Sequence, residues 1–284
     1  AEAIRPWAFC PACGYAVDLE AEGAAADPSN CPRCGSDGIA DLEQRIPVVE
    51  FERASAEIRR DDSRIDDRSD DRRRAGFSIV TAPDIDPTQT RSWYVAGYDF
   101  GVSYAKSLTM RWLNVGPRAA HAPQRMVAGR QLAMPFFRVC EGCGHLDRSA
   151  RANSIDEHRP WCPHRRSSRE HVQSIALSRT LQTQGAVITL PWTVTTGDSF
   201  ALPSLEAAVL MGLRDQFGGT PSHIGVEVIA SPTQTGDGTR DALLLHDLVP
   251  GGTGYLADLT DPERVWGLLY TAWKTLSECP CADE

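Results

Sequence analysis

Two matched Cys-Pro-x-Cys-Gly turns constrain this chain more than any other feature. Cys10-Pro11-Ala12-Cys13-Gly14 and Cys31-Pro32-Arg33-Cys34-Gly35 are separated by a 17-residue spacer. Two residues between thiolates let one tight turn aim both sulfurs at a single point. The glycine that follows takes the positive-φ position closing the turn. Two such pairs at this distance predict a zinc ribbon with Cys10, Cys13, Cys31 and Cys34 as ligands. Four thiolates leave no open coordination position, so the expected role is structural. The competing reading, redox-active Cys-x-x-Cys pairs, is disfavoured by the matched second pair.

The nine cysteines continue the theme. Cys140-Glu141-Gly142-Cys143-Gly144 repeats the knuckle, and Cys162 follows after 18 residues. A fourth ligand is needed for a closed tetrahedron. His158, four residues before Cys162, is the first choice and His164, two residues after it, the second; His145 lies directly behind the knuckle and outside it. The expected cofactor is Zn2+, at two complete sites. Cys279 and Cys281 supply a further half-site. A secreted disulfide scaffold with this many cysteines would be far shorter, so the pattern points to metal in a reducing, cytoplasmic setting.

Net charge is −9. That excludes a basic coat over the whole surface and confines any nucleic-acid contact to a local patch. The most basic region surrounds the second knuckle, with Arg138, Arg148, Arg151, Arg159, Arg165, Arg166 and Arg169. From it, Arg138, Arg165, Arg166 and Arg169 are the candidate phosphate contacts. Solvated surface arginines are the plain alternative. Residues 59–74, RRDDSRIDDRSDDRRR, alternate both signs with almost nothing apolar and read as a solvated linker. No apolar run approaches the ~18 residues of a membrane span.

β-Strands are expected at Ile46–Phe51, Gly76–Ala82, Trp93–Phe100, Val102–Leu113, Met126–Val139, Ser174–Thr180, Ala186–Leu190 and Gly225–Ala230. Gly101 is placed at a hairpin turn. Tyr104, Leu108, Met110 and Trp112 share one face, read as core in preference to a base-stacking platform. A helix over Leu205–Phe217, capped by Ser204 behind Pro203, presents Leu205, Val209, Leu213 and Phe217 as its inner stripe. The expected class is α+β: a mixed or antiparallel sheet with packed helices, plus zinc-ribbon and zinc-knuckle insertions. The expected divisions are a ribbon at 1–45, a β-rich segment at 46–139 with a charged linker at 58–75, and an α/β region at 140–284.

The chain's centre of organisation is Ala242–Leu259, ALLLHDLVPGGTGYLADL. An apolar run ends in His246-Asp247, and Gly251, Gly252 and Gly254 then form a turn before a helix starting near Tyr255. That helix is expected to restart at Asp261-Pro262 and to bury Leu256, Leu259, Val265, Leu269 and Trp273. The glycine turn is read either as an anion-facing seat or as a packed strand-to-helix turn. No Gly-Lys-Ser/Thr follows it, so it is no P-loop, and its spacing is not the dinucleotide fingerprint. Adjacent strand residues face opposite ways, so His246 and Asp247 do not serve one proton. Asp247 is expected to accept N–H bonds from the turn. No nucleophile elbow or carboxylate cluster accompanies them, and no catalytic residue is assigned.

The residues 242–259, with Trp266–Ala272 and Cys279-Pro280-Cys281, resemble the zinc-binding C-terminal region of DUF1998-type helicases. That group includes the mitomycin-repair helicases and the DUF1998 subunit of the DISARM phage-defence system. The resemblance runs from about Leu205 to the end and places 140–284 as a DUF1998-like region. In the family a Cys-x-x-Cys completes the site begun by Cys279 and Cys281; here the chain stops first. The resemblance implies a non-catalytic accessory region of a superfamily 2 (DEAD/DEAH-type) DNA helicase, bracing the motor and contacting DNA, with the motor in cis or in trans. The alternative it implies is a motor-less interaction subunit of a phage-defence complex.

Overall fold

The computed structural model describes residues 4–21, 28–50, 76–118, 122–146, 158–165, 171–195, 201–217, 223–233 and 239–278. The strands are β1 (Ile4–Phe9), β2 (Ala16–Asp18), β3 (Arg45–Glu50), β4 (Phe77–Ile85), β5 (Thr90–Val95), β6 (Phe100–Pro117), β7 (Gln124–Val127), β8 (Arg130–Ala133), β9 (Phe137–Cys140) and β10 (Val172–Thr189). Helix α1 (Ala201–Phe217), strands β11 (Ile224–Pro232) and β12 (Thr239–Asp247), and helix α2 (Pro262–Ser277) complete the chain. Both parallel and antiparallel ladders occur, and the helices are few, so the α+β class is borne out. Two compact units form, residues 1–82 with 111–180 and residues 83–110 with 181–284.

In the first unit β1 lies between β2 and β3, both antiparallel to it, with Trp7 opposite Asp18 on one side and Ile46 on the other. β3 runs parallel to β10 through Val48 and Ala176, and β9 pairs antiparallel with the start of β10. Trp7, Phe9, Ile46, Leu113, Val127 and Met134 are buried together in its core.

In the second unit β12 sits between β10 and β11, antiparallel to both. Ala242 to Asp247 are buried without a break, which explains the apolar run: a central strand covered on both faces needs no polar alternation. Leu243, Leu245 and Ile188 pack with Val209 and Leu213 of α1 and Val265 and Leu268 of α2. Asp261 caps α2, its carboxylate accepting from the Glu263 N–H at 3.0 Å, with Pro262 at the first turn as expected.

Several local expectations are corrected. The β5–β6 hairpin turns at residues 96–99, where Gly97 and Asp99 have positive φ; Gly101 lies inside β6. Its missing side chain admits Tyr94, whose Cδ1 would stand 2.2 Å from a Cβ there. Residues 126–139 are not one strand, because positive φ at Ala128, Gly129 and Phe136 breaks them into β7, β8 and β9. The two strands expected across 174–190 are one, since residues 181–184 stay extended and bury Leu181 and Thr183 in alternation. Helix α1 starts at Ala201, so Ser204 is no cap; Pro203 falls in the first turn, where no N–H is needed. A 3-10 segment, Tyr255–Thr260, precedes α2; Leu268 joins Leu256, Leu259 and Val265 in the core with Leu269 packed against it, as expected for Leu269, while Trp273 is 61% exposed and not inward. Tyr104, Leu108 and Met110 are buried core, as expected. Trp112 is half-buried with the Arg179 guanidinium 5.7 Å above its ring. The charged stretch 59–74 lies outside the described residues.

Candidate metal centres

Three turns close with the same hydrogen bonds. Cys10 N–H donates to Tyr15 O (2.8 Å) and Gly14 N–H to Cys10 O (3.0 Å). Cys31 donates to Ser36 O and Gly35 to Cys31 O, both at 2.8 Å. Cys140 donates to His145 O (3.0 Å) and Gly144 to Cys140 O (2.8 Å). The glycines have φ of 73°, 76° and 66°, the left-handed position that closes each turn without a Cβ penalty. The third turn therefore repeats the first two in backbone as well as in sequence.

The first turn leaves β1 and enters β2, so a rigid strand pair carries it. The sulfurs of Cys10, Cys13, Cys31 and Cys34 lie within 4.8 Å of one another. Cys10 Sγ stands 3.5 Å from Cys34 Sγ, and Cys13 Sγ stands 3.6 Å from Cys31 Sγ. A disulfide would be close to 2.05 Å, whereas a tetrahedron with Zn–S of 2.3 Å has edges of about 3.8 Å. The spacing is that of sulfurs around an ion. Electrostatics agree. Contacts with Cys13 and Cys31 pull the Cys10 thiol below its ordinary range, while contact with Cys10 pushes Cys13 and Cys31 up. Thiols this close cannot all ionise unaided, and a dication removes the conflict.

In the second cluster Cys140, Cys143, His158 and Cys162 converge within the same 4.8 Å limit. Cys140 Sγ is 3.7 Å from Cys162 Sγ, and His158 Nδ1 lies 3.7 Å from Cys143 Sγ and 3.5 Å from Cys162 Sγ. The sulfur–nitrogen edge of a zinc tetrahedron is about 3.6 Å. Burial pushes the Cys143 thiol up, but backbone N–H groups of Arg159 and His145, with His158 and Cys162 beside it, bring it down to about 6. His158 is thus the histidine gathered with the sulfurs. His164 instead stacks on His171, centroids 3.9 Å apart, while its backbone N–H donates to Cys162 Sγ at 3.4 Å. Sequence reasoning did not find His171, whose carbonyl accepts from Glu141 N–H at 3.0 Å and so ties the third turn to β10.

Among the described residues the remaining candidates do not gather into a site. His246 is buried, paired with Gly185 of β10 and Gly225 of β11; the missing side chain of Gly225 leaves room for the ring, whereas that of Gly185 admits Leu108. Its Nε2 is 3.4 Å from Glu227 Oε1, the arrangement of a packed core histidine. Asp247 Oδ2 accepts both the N–H and the hydroxyl of Thr253 at 2.7 Å, holding the turn as expected, though through Thr253 and not a glycine. Gly251, Gly252 and Gly254 have φ of 78°, 76° and 89°. The Gly251 N–H goes to Gln182 O, that of Gly252 to Val249 O and that of Thr253 to Asp247, so these three donors are taken by protein acceptors. Arg138 lies on β9 opposite Ser174, and Arg165 is half-buried beside the second cluster. Arg148, Arg151, Arg166, Arg169, Cys279 and Cys281 lie outside the described residues.

Residues 205–284 match the family described as the MrfA Zn-binding domain. The C-terminal stretch is thus similar to the zinc-binding domain of MrfA. The resemblance read from the sequence is thereby borne out where it was strongest. A crystal structure of the DUF1998 helicase MrfA bound to DNA matches 73% of this chain at 12% identity, with a TM-score of 0.40. The chain spans 22% of that protein's length. No curated protein matches. The two ligand clusters lie upstream of residue 205, outside the matched stretch. Together the donor sets and the matched domain give the chain two Zn2+ sites, as expected.

Accessibility separates the two centres. The first cluster has one half-buried ligand, Cys34, whereas the second has two, Cys143 and His158. A chelator should therefore remove metal from the second cluster first. Following zinc release with a colorimetric indicator should give two phases, and a Cys143→Ser variant should lack the fast one. A single phase in both proteins would contradict this order.

Proposed function

We propose that this chain is a non-catalytic, zinc-braced accessory region of a superfamily 2 DNA helicase. Cys10, Cys13, Cys31 and Cys34 hold one ion, and Cys140, Cys143, His158 and Cys162 the other. The match of residues 205–284 to the MrfA Zn-binding domain carries this reading. The two thiolate-rich clusters support it, because closed tetrahedral sites stiffen small turns and do no chemistry. Among the described residues no helix is long and apolar enough to cross a membrane, which suits a cytoplasmic partner of DNA. The region's work is to brace an ATPase motor and to touch the strand that the motor moves, with the second knuckle and Arg165 beside it on the DNA side.

The test is a titration of fluorescein-labelled oligodeoxythymidine with the zinc-loaded chain at several salt concentrations. Binding is expected to weaken steeply with salt, since phosphate contacts release counterions, by about 0.7 in logarithmic slope per contact. Chelation should abolish it. In the full-length helicase, Cys143→Ser should lower DNA-stimulated ATP hydrolysis and leave the basal rate unchanged. Absence of DNA binding at low salt by fully metallated protein would remove the DNA-contact part of the proposal.

A further inference from the structure

β3 and β10 pair through Val48–Glu50 and Ala176–Ser178, and their preceding residues line a cavity of about 570 Å³. Pro47 sits on its wall; a proline offers no N–H to continue the ladder. Arg45, Arg125, Phe136, Gln173 and Ser174 line it, with Glu141 at one end. A second cavity of about 490 Å³ adjoins it, sharing Glu141 and Gln173, and runs along the Cys140–Gly144 turn. Both volumes fall within the roughly 300–1,000 Å³ of ordinary ligand sites.

We propose that these joined cavities form a groove for a single strand of nucleic acid. This rests on the DNA-contact reading above and names the residues that would carry it. Two guanidiniums, Arg45 and Arg125, line the first cavity of a chain with net charge −9. Arg138 stands on β9 directly opposite Ser174, and paired residues share a face, so a third arginine belongs to the same side. Guanidinium is the side chain suited to phosphate oxygens. Arg125 is already braced: it lies 5.3 Å over the Phe136 ring and donates to the carbonyls of Glu43 and Arg45. A cation held in place loses less freedom on binding. Pro47, Pro123, Phe136 and Val172 give an apolar wall for a base or sugar. Two adjoining cavities that share Glu141 and Gln173 suit consecutive nucleotides better than one small molecule. Glu141, 52% exposed where the cavities meet, opposes phosphate and tempers affinity.

The experiment compares wild type, Arg45→Gln, Ser174→Glu and Glu141→Gln with labelled oligodeoxythymidine, using Arg264→Ala as a control on α2. Ser174 is exposed, so its variant folds even if Arg45→Gln does not; zinc content and circular dichroism check each protein. Arg45→Gln should bind several-fold more weakly, with a salt slope smaller by about 0.7. Ser174→Glu should weaken binding comparably, and Glu141→Gln should tighten it about two- to three-fold, as expected for removing one repulsive charge at the surface. Wild type that fails to bind sinks the DNA reading and this one with it. Wild type that binds, with variants unchanged, sinks the groove alone. Thymidine monophosphate competing as well as the oligonucleotide would replace the strand by an isolated nucleotide site.

Discussion

Replacing Cys13 by serine is expected to leave the chain with one zinc ion in place of two and to melt the sheet built on β1. Cys13 is 1% exposed, and Cys10, Cys31, Ala8 and Ile39 are buried around it. The same β1 supplies Trp7 and Phe9 to the core of the first unit. Zinc bound by four thiolates contributes about 10–16 kcal/mol in small zinc modules near neutral pH. That equals or exceeds the about 5–15 kcal/mol that holds a typical domain folded. Loss of one ligand therefore outweighs any packing change from sulfur to oxygen. Metal analysis by mass spectrometry, with thermal melting and limited proteolysis, checks both halves of the expectation. Zinc content that stays at two would show that Cys13 is no ligand. Acid should melt the same sheet without a mutation, but with loss of both ions. Zinc takes thiolates and neutral imidazole, so protons compete with it; the stabilisation is present at neutral pH and is lost as pH falls.

Local chemistry made the metal centres legible from sequence. A Cys-Pro-x-Cys-Gly turn encodes its own closure, since the Cys10, Cys31 and Cys140 turns share one hydrogen-bond pattern regardless of what surrounds them. The central strand was legible for the same reason, because a run such as Ala242–Leu245 has no other economical place than between two strands. Where the sequence misled, long-range packing decided. Residues 182–184 carry polar side chains that argue for a break, yet Gln182 and Gln184 are fixed by Thr109 and Tyr104 of β6 and the strand runs through. Trp273 looks like a core residue by type. The close approach of α1 rotates the buried face of α2 toward Val265, Leu268 and Ala272, which leaves Trp266, Tyr270 and Trp273 exposed. His246 is given no chemistry by the sequence, and its surroundings agree, since Gly225 makes room for the ring and Glu227 lies beside it. Arg45 and Arg125, far apart in the chain and outside any basic run, gave no local signal at all; only the cavity joins them.

Gly212→Val is expected to be the most damaging single change within the matched C-terminal domain. Gly212 faces α2 from the middle of α1. A Cβ at this position would stand 2.7 Å from the Leu268 carbonyl oxygen, 2.9 Å from Leu268 Cδ1 and 3.2 Å from the Ala272 Cβ. The first of these is backbone and cannot rotate aside. Two opposing effects decide the outcome for alanine. Glycine to alanine inside a helix gains about 1 kcal/mol of helix propensity. Against that stands a contact shorter than atoms tolerate, and overpacking a tight core costs about 1–3 kcal/mol. Gly212→Ala should therefore be neutral to destabilising by about 2 kcal/mol, with the sign set by how far α2 can shift. Valine adds two methyl groups, loses the propensity advantage and forces the helices apart over Val209, Leu213, Val265 and Leu268, all of them fully buried. Its cost should reach about 3 kcal/mol or more, in the range of severe core changes. Urea denaturation of both variants gives the comparison directly, and zinc content should stay at two because neither metal cluster touches this interface. A glycine-to-alanine variant more stable than wild type by the full helix-propensity gain would mean that α1 and α2 stand farther apart than their side chains indicate.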